Sequence, residues 1–201
     1  NSSWVYPNGF STSLPKEVQE EYIRSIKGFE SAKILQYGYA VEYDYIDPRN
    51  LNKTLATKQN PNLFLAGQIN GTTGYEEAGA QGIVAGINAS LYIKKQQEWI
   101  PERQNSYLGV LVDDLTRLGV SEPYRMFTSR AEHRLLLRQN NADKRMFEIA
   151  KKLNIISEER EEIFLQKQQE KKSITKKLQE TKVEVEGKKK TAKELCKRND
   201  F

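Results

Sequence analysis

Two segments of this sequence hold residue types whose spacing suits chemistry: a glycine-rich stretch at 62–90, NLFLAGQINGTTGYEEAGAQGIVAGINAS, and a run of arginines at 125–145. In the first, Gly67, Gly71 and Gly74 lie between a short apolar run and a helix-forming segment that opens on Tyr75-Glu76-Glu77. Glycines there let the backbone approach a ligand closely. The first turn of the helix adds unpaired N–H groups and about half a positive charge. Such an end stabilises negative charge on a phosphate or on a reduced isoalloxazine ring. Ala78, Gly82, Ala85, Gly86 and Ala89 form a small-residue face of the same helix, suited to close packing against a strand or a cofactor. Pattern alone leaves a second reading open, in which the glycines serve only a tight strand-to-helix turn. The usual dinucleotide fingerprint is missing, because no GxGxxG follows a strand anywhere in the chain.

In the second segment, Arg130, Arg134 and Arg138 are spaced by four, so a helix would carry all three on one face. Arg125 precedes them, Lys144 and Arg145 follow, and Tyr124 and Phe127 lie close by. Guanidinium groups pair with phosphate and aromatic rings stack on unpaired bases, so the segment reads as an RNA contact. The competing reading is a solvated stripe paired to local carboxylates such as Glu132 and Asp143. His133, the sole histidine, reads as a helix-surface residue. Asp113 and Asp114 diverge by about 100° on a helix, which favours capping or salt bridging over paired acid–base work. Tyr37, Tyr39, Tyr43 and Tyr45 alternate as on a half-buried sheet face. The single cysteine, Cys196, excludes an internal disulfide framework and a multi-cysteine zinc site, and fits a reducing, intracellular compartment.

The elements that must position these residues follow from periodicity and punctuation. The spacing predicts a helix over 13–28, capped by Ser13, with Pro15 in its first turn, an apolar face of Val18, Tyr22 and Ile26, and a stop at Gly28. Residues 33–47 alternate aromatic and β-branched types and read as extended, closed by Asp47-Pro48. The apolar run 62–66 reads as a buried parallel strand, which needs neighbours on both sides. Helices are expected over about 75–95, 105–118, 129–138, 143–153 and 157–180. The fourth residue of the 129–138 segment places Glu132 at capping-box spacing from Ser129. The last twenty residues are polar and weakly patterned, which suggests disorder.

The chain has 201 residues and a formal net charge of +5, and the basic surplus lies wholly in its second half. Hydrophobic residues make up 37% and charged residues 29%, so the core is modest or confined to part of the chain. No apolar run approaches the roughly 20 residues of a membrane span.

The run AGQINGTTGYEEA (66–78), with VDDL (112–115) and EPYRMFTSRAEHRLLLR (122–138), resembles the GidA (MnmG) family. This family is the FAD-binding subunit of the tRNA uridine 5-carboxymethylaminomethyl modification complex. YPNGFSTSLP (6–15) and GYAVEYDYIDPR (38–49) are similar to it as well, so the resemblance runs from about Tyr6 to about Asp143. Several long motifs in the family's order make it specific.

The resemblance implies a flavoprotein that acts with a GTPase partner on the wobble uridine of tRNA, using FAD, NADH and a folate one-carbon donor. It assigns flavin contact to Gly67, Gln68, Asn70, Gly71, Thr72, Gly74, Tyr75 and Glu76, and favours tRNA contact by at least some of Arg125, Arg130, Arg134, Arg138 and Arg145. It implies an α/β fold: part of a Rossmann-like FAD domain with an inserted sheet segment (1–60), that domain's C-terminal part (61–100), then an α-helical region (101–201). It further implies an internal fragment, a homodimer of the whole protein, and a cytoplasmic location, or the mitochondrial matrix in a eukaryote. The family's N-terminal fingerprint and its two functional cysteines have no counterpart here, and Cys196 matches neither. The isolated chain is therefore expected to retain flavin poorly and not to turn over. Two alternatives stand beside this reading: a folate- and FAD-dependent tRNA (uracil-5) methyltransferase, and a tRNA-binding module without flavin. PYRMFTSRAEHR argues against the first and the intact glycine turn against the second.

Overall fold

The computed structural model describes residues 4–185 and 187–197. The chain divides into two units, Asn1–Ile46 and Asp47–Phe201.

In the first unit, helix α1 spans Lys16–Arg24, shorter at both ends than its apolar spacing predicts. Pro15, not Ser13, is its N-cap, and the helix ends before Ile26. Gln19 is buried and fastens the chain that returns beside α1. Its Nε2 donates to the carbonyls of Leu14 (2.6 Å) and Gly38 (3.0 Å), and its Oε1 accepts from the Gly38 N–H at 2.9 Å. Phe10 packs edge-on to Tyr22 and Phe29. Residues 33–47 join no ladder among the described residues, and Tyr39, Tyr43 and Tyr45 are more than half exposed. Alternation describes a strand's two faces, but a strand exists only where a second segment supplies the hydrogen bonds.

The second unit opens with a 3-10 turn at Pro48–Asn50 and a tight double-back held by the bridges Leu51↔Thr57 and Ala56↔Phe64. The run 62–66, expected as a buried parallel strand, is instead the outer limb of this antiparallel double-back, with Leu63 46% exposed. Helix α2 (Tyr75–Ile93) follows the glycine turn, and helix α3 (Tyr107–Asp113) continues into a π-helical turn at Asp114–Leu118. Ser106 caps α3 by accepting from the Gly109 N–H at 3.0 Å. A Cβ on Gly109 would sit 2.1 Å from the Glu102 carbonyl carbon, so only glycine fits.

Helix α3 is buried all round and touches three apolar clusters. Val112 packs with Leu51, Leu55, Val84 and Ala85. Val110 packs with Ala131 and Leu137, while Leu111 and Leu115 pack on Tyr124. Helices α4 (Ala142–Lys152) and α5 (Glu158–Glu180) pair through stacked Phe147 and Phe164 rings, 3.8 Å apart. The tail, read from composition as disordered, carries strands β1 (Lys182–Val185) and β2 (Lys188–Thr191) and helix α6 (Ala192–Leu195). A capping box of Thr191 and Glu194 starts α6. The chain is thus a mixture of helices with a small antiparallel sheet, the one sheet among the described residues.

The helix expected over 129–138 does not form. Residues Thr128–Arg130 make one 3-10 turn and the chain then runs through turns to Arg138. Ala131 and Leu137 are both drawn into the core. Six residues apart, they would point about 120° from each other on an α-helix.

Candidate functional site

The glycine turn is built from inside. Gln68–Asn70 form a 3-10 turn between Gly67 (φ 87°) and Gly71 (φ 76°), and Gly74 (φ 126°) leads into α2. All three sit where an L side chain is strained. Asn70, fully buried, donates through Nδ2 to the Leu65 carbonyl (2.9 Å) and to Gln81 Oε1 (2.7 Å). Gln81, also fully buried and one helical turn beyond Glu77, donates to Thr72 Oγ1 at 2.8 Å and to the Glu77 carbonyl at 3.1 Å. Thr72 Oγ1 in turn donates to the Gly67 carbonyl at 3.0 Å. Both ends of the turn are therefore knitted to α2 by side-chain amides.

The sequence-assigned cofactor residues fall into two sets. Gly67, Asn70 and Thr72 are buried and hold the turn's shape, whereas Gln68, Tyr75 and Glu76 are exposed, Tyr75 at 96%. Gly71 and Gly74 lie between, half-buried. Among the described residues, no side chain caps the N-terminus of α2. Along α2, Gly82 and Gly86 of the small-residue face have nothing among the described residues within 4 Å of where a Cβ would stand, while Ala78 packs against Gly67. Ala85 of that face is buried in the core instead.

The turn is fastened sideways to the chain at Tyr124. Tyr124 N–H donates to the Gly71 carbonyl (2.9 Å) and Thr73 N–H to the Tyr124 carbonyl (2.8 Å), a one-rung parallel bridge. Glu77, buried in the first turn of α2, accepts the Met126 N–H on Oε1 at 2.8 Å. Two buried acceptors, Asn70 Oδ1 and Glu77 Oε2, have no partner among the described residues.

The arginines do not share a helical face. Arg130 lies with its guanidinium 4.3 Å from the Tyr124 ring centre and donates through Nε to the Arg125 carbonyl. Arg138 donates to the Leu135 carbonyl and Asn140. Arg145 ties Asn141 and the carbonyls of Asn105 and Arg138. Among the described residues, Arg125 and Arg134 are exposed and engage no partner through their guanidinium groups. Tyr124 is buried, whereas Phe127 is 56% exposed.

Arg103, which no local pattern marks, organises the charges beneath. Its Nη1 reaches Asp113 (3.2 Å) and Asp114 (2.5 Å), and its Nη2 reaches Glu132 (2.5 Å). The adjacent aspartates are thus salt-bridged, and they converge on one nitrogen despite their divergence along the helix. Burial works against Asp113 ionisation, but Lys53 at 2.8 Å, with Arg117 and Arg103, outweighs it and holds the carboxyl below its ordinary 3.8. Burial and the bond to Asp114 push the Tyr124 phenol well above its usual value. His133 is exposed beside Glu132. Gln81 and Glu77 carried a weak sequence signal, one helical turn apart behind the glycines. Arg103 carried none, since its partners lie 10, 11 and 29 residues away.

A knitted glycine turn thus feeds a long helix whose N-terminus has no side-chain cap among the described residues. The family model "Glucose inhibited division protein A" matches residues 1–97. The chain is 61% identical over 168 residues to the tRNA uridine 5-carboxymethylaminomethyl modification enzyme MnmG of Buchnera aphidicola subsp. Cinara cedri (strain Cc), covering 84% of this chain and 26% of that protein. It is also similar to the structure of Aquifex aeolicus GidA in its form II crystal, with a TM-score of 0.80 and 45% identity over 94% of this chain and 32% of that one. The form I crystal gives 0.77 at the same identity, covering 93% and 30%. The chain belongs to the GidA family. It spans about a quarter of the length of the curated relative it matches.

Proposed function

We propose that this chain is part of an FAD-dependent enzyme that, with a GTPase partner, installs a carboxymethylaminomethyl or related aminomethyl group on C5 of the tRNA wobble uridine. The observation that carries this reading is the glycine turn joined to α2, in a chain 61% identical to MnmG. The residues present fit a flavin. Gly67, Gly71 and Gly74 leave the backbone bare, and among the described residues the α2 N-terminus has no side-chain cap and nothing covers Gly82 and Gly86 behind it. Gln68, Tyr75 and Glu76 stand exposed at the rim to contact the ring system, while Asn70 and Thr72 hold the turn to shape. When bound, the flavin supplies redox chemistry, with NADH and a folate one-carbon donor as co-substrates. The helix N-terminus stabilises negative charge on it.

In this reading residues 1–60 belong to the inserted part of a Rossmann-like FAD domain, 61–100 to its C-terminal part and 101–201 to a helical region. Arg125 and Arg134 are free to meet tRNA phosphates. Arg130, Arg138 and Arg145 present the donors that their carbonyl contacts leave over. The whole protein acts as a homodimer in the bacterial cytoplasm, or in the mitochondrial matrix of a eukaryote.

A chimaera tests this. This chain replaces the matching segment of Aquifex aeolicus GidA, and flavin absorbance and wobble-uridine modification are measured. Retained flavin that Gly74→Val removes is the expected result; a folded, flavin-free chimaera would sink the proposal.

A further inference from the structure

Glu77 is a buried carboxylate with no cationic partner among the described residues. It sits in the first turn of α2, and the bare Cα of Gly74 makes room for it: a Cβ on Gly74 would fall 1.9 Å from Glu77 Oε2. Among the described residues its carboxyl group accepts one hydrogen bond, from the Met126 N–H, which crosses 49 residues of sequence. A buried acceptor that loses its donor is costly, so this bond fixes Met126 against the helix start. Two residues before Met126, the backbone of Tyr124 is bonded to Gly71 and Thr73. The Tyr124 ring lies beneath the Arg130 guanidinium, and its hydroxyl donates to Asp114 at 2.8 Å. A continuous set of contacts therefore runs from the α2 N-terminus through Met126 and Tyr124 to Arg130, whose Nη nitrogens have no protein partner among the described residues.

We propose that Glu77 is a positioning residue for the basic segment: by holding Met126 beside the bridged Tyr124, it sets where Arg130 presents its guanidinium to an RNA phosphate. The inference rests on the RNA reading of the arginines given above, and adds a residue that touches no RNA yet governs the contact. A planar guanidinium stacked on a fixed ring keeps its free edge in one orientation, whereas a displaced ring releases it.

The test is fluorescence anisotropy of the full chain with a short anticodon stem-loop RNA bearing uridine at the wobble position, titrated across salt concentrations. Arg130→Ala is expected to weaken binding several-fold and to reduce the salt slope by about one phosphate contact. Glu77→Leu, which cannot accept the Met126 N–H, should reproduce both effects. Glu77→Gln, which can, should bind within about twofold of the wild type. The Glu77→Leu/Arg130→Ala double variant should lose no more than either single, because both act on one contact. Circular dichroism shows which variants fold. Where Glu77→Leu does not, Glu77→Asp, one methylene short of Met126, takes its place with a smaller loss in the same direction. Loss in Arg130→Ala with wild-type affinity and slope in the Glu77 variant overturns the inference and leaves the RNA reading standing, as does full additivity in the double variant. Unchanged binding in Arg130→Ala overturns both.

Discussion

The glycine turn and the arginine segment lie side by side, yet they hold their shapes by opposite means. The turn uses neutral amides, Asn70 and Gln81, sealed from water and bonded to one another and to carbonyls. The arginine segment uses charged groups at the surface, with Arg130, Arg138 and Arg145 bonded to carbonyls of their own neighbourhood. A buried amide that loses its partner bears the full desolvation penalty, while an exposed guanidinium exchanges a carbonyl for water at little cost. The first arrangement gives a rigid cradle. The second gives a surface whose charges can be drawn to a polyanion.

Gln81→Leu breaks the comparison most severely. It strips Asn70 Nδ2 of one acceptor and Thr72 of its donor, and denaturant unfolding should show a loss of about 2–4 kcal/mol. A loss below about 0.5 kcal/mol, the scale of a neutral surface change, would mean the amides do not fix the turn. Arg103→Met comes next. It leaves Asp113, Asp114 and Glu132 without a shared counter-charge, for an expected loss of about 1–3 kcal/mol after discounting the exposed side of the network. Replacing an exposed arginine, Arg134→Ala, should change stability by less than about 0.5 kcal/mol and act only on the salt dependence of RNA binding.

The charges under the arginine segment also give the chain a pH dependence. Asp113 is held below its ordinary 3.8, so its contribution is complete above that value and is lost as pH falls through the depressed folded value. The unfolding midpoint should therefore be flat between about pH 7 and 5 and fall below about pH 4. Lys53→Met, which removes the 2.8 Å partner of Asp113, should shrink that fall. An equal fall in wild type and variant would place the acid sensitivity elsewhere.

What could be read from the sequence were features set by neighbours along the chain. Helix α2 begins at Tyr75 as its glycine boundary requires, and α5 begins after Ser157, whose side chain accepts from the Arg160 N–H. The glycine turn was legible because φ above zero leaves a mark in composition. Features set by distant partners were not. The Ser129-to-Glu132 spacing mimics a capping box, but Glu132 is taken by Arg103 and the core claims Ala131 and Leu137. Residues 62–66 form a continuous apolar run, which does not reveal whether the partner limb is parallel or antiparallel. The arginine spacing of four suggested one face, and lost that meaning once the helix did not form.

An FAD titration of this chain, followed by flavin fluorescence and amide hydrogen exchange, tests the proposed flavin cradle at the Gly67–Glu77 turn most directly. Weak, saturable binding is expected, lost on purification, with protection concentrated at residues 71–77 and abolished by Gly74→Val. Protection elsewhere in the chain, or binding that Gly74→Val leaves intact, would contradict it.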